Sequence, residues 1–188
     1  FGTLSAAALP MAIVALMLPL AIGLSFFISS YFSMTQYSTS MISLIGIAVS
    51  IDYSLFMISR FREELERGSS TEDAIATMMH TAGRAILYSG ATVAVGLCSL
   101  FYFTETHMPS MGMGAFLAVL GALMYSLTLL PALLSYLGPK INSLRVPIPG
   151  ANRKTRFWEN FSTKVMKNPV RWLLPAMALL LLLGSPFL

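Results

Sequence analysis

Residues 39–62, TSMISLIGIAVSIDYSLFMISRFR, form an apolar helix long enough to cross a bilayer, and they carry one acid, Asp52, in their interior. The nearest basic residue is Arg60, roughly 12 Å away along a helix axis that rises 1.5 Å per residue. An Asp at the centre of a membrane helix costs about 2.5–3.5 kcal/mol on insertion scales. A chain keeps such a residue when the acid faces protein or water and has a task there. Asp52 is therefore expected to be buried within protein, and the rest of the chain is read for what surrounds it.

Of 188 residues, 56% are hydrophobic and only 11% are charged, against about 25% in a soluble domain. That composition implies an all-α integral membrane protein, since helices satisfy their own backbone hydrogen bonds in lipid. The first residue is Phe1 and the last ones lie in an apolar run, so a piece of a longer protein is expected. The net charge of +4 does not point to nucleic acid. The basic residues lie between apolar spans, where they set orientation and meet anionic headgroups. The lone cysteine, Cys98, is expected to be a small packing residue.

Residues 1–137 are predicted to form a four-helix transmembrane region, with spans at 4–30, 39–59, 85–103 and 111–137. Pro10 and Pro19 are expected to kink the first span. The second runs on into RFREELERG, whose Gly68 ends a helix protruding from the membrane. Residues 69–84 read as a short amphipathic helix capped by Ser70 or Thr71, with Glu72 and Asp73 in its first turn. Residues 138–171 form a basic linker. Within it Phe157, Trp158, Phe161 and Val165 share a helical face, as in an interfacial helix or one packed on the spans. A further, truncated span begins at 172 and occupies 172–188. Arg60, Arg62, Arg67 and Arg84 lie in 60–84, and the other Lys and Arg residues lie in 138–171. The positive-inside rule places both segments in the cytoplasm of a multi-pass cell (inner or plasma) membrane protein.

Three roles suit Asp52. A structural acid needs a basic partner, and the apolar spans hold none. A cation site needs further carboxylates at the same depth, and none stands there. A proton carrier needs only a partly dry site, because a carboxyl group withdrawn from water without a counter-charge titrates closer to neutrality. The residues favour the proton carrier. Tyr53 points about 100° further round the helix and can contact a carboxylate of another helix or cavity water. Gly46, Ser50 and Ser54 form a small-residue stripe of the kind that lets helices approach closely. Its opposing surface is expected among the small residues from Ser89 to Gly96 of the third span. Ile45, Ala48, Val49 and Phe56 are expected to line the cavity or pack beside it. His80 and His107 stand alone, so no metal site is expected. The chain lacks HExxH, GxSxG and Walker-type lysine patterns, and nothing supports an enzyme. Any energy source is then an ion gradient or a separate subunit, with no cofactor.

The run GIAVSIDYSLFMISRFREEL resembles the fourth transmembrane helix of the MMPL family, within the RND superfamily of proton-driven exporters. FGTLSAAALP resembles the start of the third helix, TAGRAILYSGATVAVGL the fifth, LTLLPALLSYLG the end of the sixth, and FWENFSTKVMKNPVRW the linker before the seventh. Ala48 and Ser50 stand where the family more often carries glycine. The resemblance implies part of an RND-type helix bundle. In it, Asp52 and Tyr53 are half of a proton relay, driven by a proton gradient and facing a matching Asp-Tyr pair in the missing second half of the transporter. It also implies export of lipids or other hydrophobic substrates. A sterol- or lipid-sensing module and a protein-translocation accessory remain alternatives, and the small-residue stripe is compatible with a homo-oligomer.

Overall fold

The computed structural model describes residues 4–103, 106–142 and 161–184. Its helices are α1 (Leu4–Ile28), α2 (Gln36–Glu66), α3 (Thr71–Met78), α4 (Arg84–Cys98), α5 (Met108–Leu127), α6 (Leu129–Leu137), α7 (Phe161–Lys167) and α8 (Pro169–Gly184). Residues 1–146 and 147–188 form two separate units. Among the described residues, four helical stretches are long and apolar enough to cross a membrane: Ala8–Ile28, Gln36–Glu66, Thr71–Tyr102 and Met108–Ile141.

The first unit is built on four-residue spacing. The buried residues of α1 include Leu9, Ile13, Met17, Ala21 and Ser25. On α2 they begin Ser38, Ile42, Gly46, Ser50 and Ser54, and on α5 they include Ser110, Gly114, Ala118, Ala122 and Ser126. Residues four apart form a ridge along a helix, and ridges of small side chains let two backbones come together. The α2–α5 seam is the result. A Cβ added at Gly114 would lie 2.5 Å from the Ser38 carbonyl oxygen, so only glycine fits there. At the same end of the seam the Thr35 N–H donates to Ser110 Oγ at 2.7 Å, and the two hydroxyls lie 3.0 Å apart. Ser110→Ala strands that N–H and is expected to cost about 1 kcal/mol, read as a lowered thermal midpoint of the full-length protein.

At the opposite, arginine-bearing end a second core forms. Met57, Ile58 and Phe61 of α2 pack with Ala74 and Met78 of α3, Ala82, Ile86, and Leu130 and Leu134 of α6. Ser70 caps α3 by accepting from the Asp73 N–H at 3.1 Å. This helix does not stop at residue 84, as expected above. It passes through a π-helical turn, Met79–Gly83, into α4, so Thr71–Tyr102 is one continuous rod. The wider turn absorbs an extra residue without breaking the hydrogen-bonded ladder.

Proline acts unevenly. Pro10 and Pro19 both stand inside the uninterrupted α1, where the expected kinks do not end the helix. Pro131 coincides with a real break: α5 ends at Leu127, and Thr128 departs from helical geometry at φ −115° and ψ −63°. Pro131 lacks the N–H that would reach the Leu127 carbonyl, and the freed turn is held by the Thr128 hydroxyl donating to the Met124 carbonyl. Cys98, expected as a packing residue, is exposed instead.

The second unit holds α7 and α8, which meet at a 96° bend. Pro169 opens α8, a position that wastes no N–H. The Phe161 ring packs edge-on against Trp172, centroids 5.4 Å apart. Phe157 and Trp158, expected on the same face, lie outside the described residues.

Candidate functional site

Asp52 is carried by the 31-residue α2, and the two sides of that helix differ. One side is the buried ridge of Gly46, Ser50 and Ser54. The other presents Leu44, Ala48, Asp52 and Phe56, all exposed and again four apart. Asp52 was expected to be buried. Among the described residues it is not, because residue 52 lies about 200° round the helix from residue 50, on the face that no described helix covers. Among those residues no cation pairs with it and no hydrogen bond reaches it. Leu44 is 67% and Phe56 52% exposed, so the acid stands between apolar side chains on the uncovered face.

The small-residue stripe also lies elsewhere than expected. Its opposing surface is α1 and α5, not the third span. A Cβ on Gly46 would meet Met17 Cε at 2.6 Å and Ala118 Cβ at 3.5 Å. Ser54 Oγ donates to the Ser50 carbonyl at 2.7 Å, a bond inside its own helix. Among the described residues, the hydroxyls of Ser50 and Ser126 are buried without a hydrogen-bond partner. Sequence reasoning passed over Ser126. Its only signal is membership of the four-residue series that begins at Ser110.

Tyr53 links the two sides. It is half-buried and packs against the cluster of Ala94, Val119 and Leu123, which Ile45 also touches. Its hydroxyl interacts with that of Ser89 on α4. Ser89 itself is exposed, and Val49 is half-buried. The structure thus groups Asp52, Tyr53 and Ser89 within the membrane-spanning part. Ala48 and Phe56 flank the acid, while Ile45 turns towards α5.

Eight residues further along α2, the helix is charged and paired. Arg60 contacts Glu63 at 2.7 Å and Glu64 at 2.9 Å, and Arg67 contacts the same two acids at 2.6 and 2.8 Å. The Glu64 side chain is only 10% exposed. Arg60 Nε also donates to Thr81 Oγ1 at 3.3 Å, which ties α2 to the π-helical turn. These cations are therefore engaged locally and do not serve Asp52. His107 lies against the Tyr37 ring with centroids 5.6 Å apart. Among the described residues no group of His, Cys, Asp and Glu is arranged to hold a metal ion.

The model of the MMPL family matches residues 1–172. The mycolic acid-containing lipids exporter MmpL11 of Mycolicibacterium smegmatis is 37% identical over 99% of this chain. The heme uptake protein MmpL11 of Mycobacterium tuberculosis is 35% identical over the same share. The trehalose monomycolate exporter MmpL3 of Mycobacterium tuberculosis is 31% identical, again over 99% of the chain. The chain spans 20%, 20% and 23% of the length of these relatives, respectively.

Proposed function

The chain belongs to the MMPL family, and on that premise we propose that it is part of the transmembrane region of a proton-driven exporter of lipids or other hydrophobic compounds. Asp52 and Tyr53 form one half of its proton relay. The observation that carries this reading is the exposed face of α2, where a carboxyl group sits among Leu44, Ala48 and Phe56. Lipid against that face would leave the acid in hydrocarbon at a cost of a few kcal/mol. The remainder of a longer transporter, bearing a matching Asp-Tyr pair, removes that cost and supplies intermittent water. The names of the relatives support the cargo class, since mycolic-acid lipids, a trehalose monomycolate and heme are all large and substantially apolar.

In this reading the proton moves between Asp52 and its counterpart. Tyr53, beside Ser89, orients the water or carboxyl group that receives it. No cofactor takes part, and the energy comes from the proton gradient. Residues 60–84 and 138–171 face the cytoplasm, in accord with their Lys and Arg content.

The test is a full-length protein in liposomes with an imposed proton gradient. Proton flux is read with a trapped pH dye while export of a fluorescent lipid is followed. Coupled transport, with both signals collapsing when the gradient is dissipated, is the expected result. Lipid movement indifferent to the gradient overturns the proposal. Tyr53→Phe separates positioning from titration. It is expected to change stability by less than about 1 kcal/mol and to slow coupled flux without abolishing it.

A further inference from the structure

The elbow between α7 and α8 carries a cleft of about 400 Å³ lined by Lys164, Asn168, Arg171, Trp172 and Pro175. We propose that this cleft binds the phosphate headgroup of an anionic phospholipid. The inference rests on the elbow alone and not on the transport reading.

Three observations converge there. The first is charge. Lys164 and Arg171 are exposed, and residues 161–184 contain no acid, so these two cations have no carboxylate partner within that stretch. Two cations and the Asn168 amide supply the donors that a phosphate accepts from. The second is depth. Arg171 is followed by WLLPAMALLLLLG, so the cleft sits where a polar linker becomes an apolar helix. Lipid phosphates lie at that boundary, and tryptophan is enriched there. The third is shape. The 96° bend turns α7 away from the axis of α8, and the Phe161–Trp172 edge contact braces the corner. The cleft is thus polar at Lys164 and Asn168 and apolar at Trp172 and Pro175. A soluble phosphate meets only the first part, whereas a phospholipid meets both. A zwitterionic lipid brings a cation of its own to the two basic groups.

The experiment titrates full-length protein in detergent with dioleoyl phosphatidylglycerol, dioleoyl phosphatidylcholine or inorganic phosphate, and counts bound lipid by native mass spectrometry. Phosphatidylglycerol is expected to bind preferentially, with inorganic phosphate a poor competitor. A Lys164→Gln/Arg171→Gln double variant should weaken phosphatidylglycerol binding about thirtyfold, from the contribution of each basic residue near an anionic surface. Lys167→Gln removes a neighbouring charge that does not line the cleft and should cost less than the roughly fivefold that one such residue contributes on the same scale. Equal losses for the two variants, equal binding of the two lipids, or ready displacement by inorganic phosphate each overturn the proposal. Should the double variant lose its helical circular dichroism, the wild type decides. Its preference for phosphatidylglycerol must fall as salt rises, and a salt-independent preference counts against the site.

Discussion

Asp52→Asn in the full-length protein is expected to reduce proton-coupled export to the level of a membrane without the transporter, at unchanged protein abundance. Asparagine keeps the shape and polarity of the side chain and removes only its ability to take up and release a proton. Folding should tolerate the exchange. Among the described residues Asp52 has neither an ion pair nor a hydrogen bond to lose, and it lies on the uncovered side of α2. An amide also inserts into a membrane helix at no greater cost than a charged carboxylate. The measurement is efflux of a hydrophobic substrate under an imposed gradient, alongside membrane abundance by immunoblot. Full export by the variant would remove Asp52 from the relay. Lipid binding that persists unchanged across pH in both proteins, with no transport by either, would favour a sensing module instead.

Gly114→Ala is the substitution expected to damage the fold most. The added methyl group would stand 2.5 Å from the Ser38 carbonyl oxygen and 3.0 Å from the Ser38 carbonyl carbon and Cα. All three are backbone atoms, so no side chain can rotate aside and α2 must separate from α5. Overpacking of this kind costs about 1–3 kcal/mol, and here it strikes the seam that positions the Asp52 helix. A fall of several degrees in thermal midpoint, with reduced yield, is expected. Two comparisons make the cause specific. Gly90→Ala has the flexible Leu123 side chain as its nearest neighbour, at 2.7 Å, and should be milder. Gly96→Ala meets nothing within 4 Å and should be neutral or slightly stabilising, because alanine favours helix by up to about 1 kcal/mol. An order other than Gly114, Gly90, Gly96 would mean that close approach at the seam is not what limits stability.

Several features were legible from local chemistry. The apolar runs read directly as helices, because a backbone in lipid has few other ways to satisfy its hydrogen bonds. Gly68 was recognisable as a stop and adopts φ +89°. A cap at Ser70 or Thr71 was recognisable because such a hydroxyl competes for a free N–H two or three residues on, and Ser70 is the one that takes the position. The continuity of residues 71–102 was not legible, since SSTEDAIATMMHTAGR carries the start signal of a helix but nothing that announces a π-helical turn. Nor was the outward aspect of Cys98.

The sequence by itself determined that this is a membrane-spanning all-α chain of the MMPL family, with one acid deep in its second span. It also determined that small residues would mediate close helix packing. Only the tertiary structure decided which side of α2 those residues join. In a soluble helix polar residues mark the outer face, but a membrane helix is apolar all round, so periodicity does not distinguish protein from lipid. Gly46 meets α1 and α5, and the burial of Gly46, Ser50 and Ser54 turns Ala48, Asp52 and Phe56 to the opposite side. The aspect of Asp52 therefore follows from packing between residues far apart in the chain, of which the close approach of Gly114 to Ser38 is one.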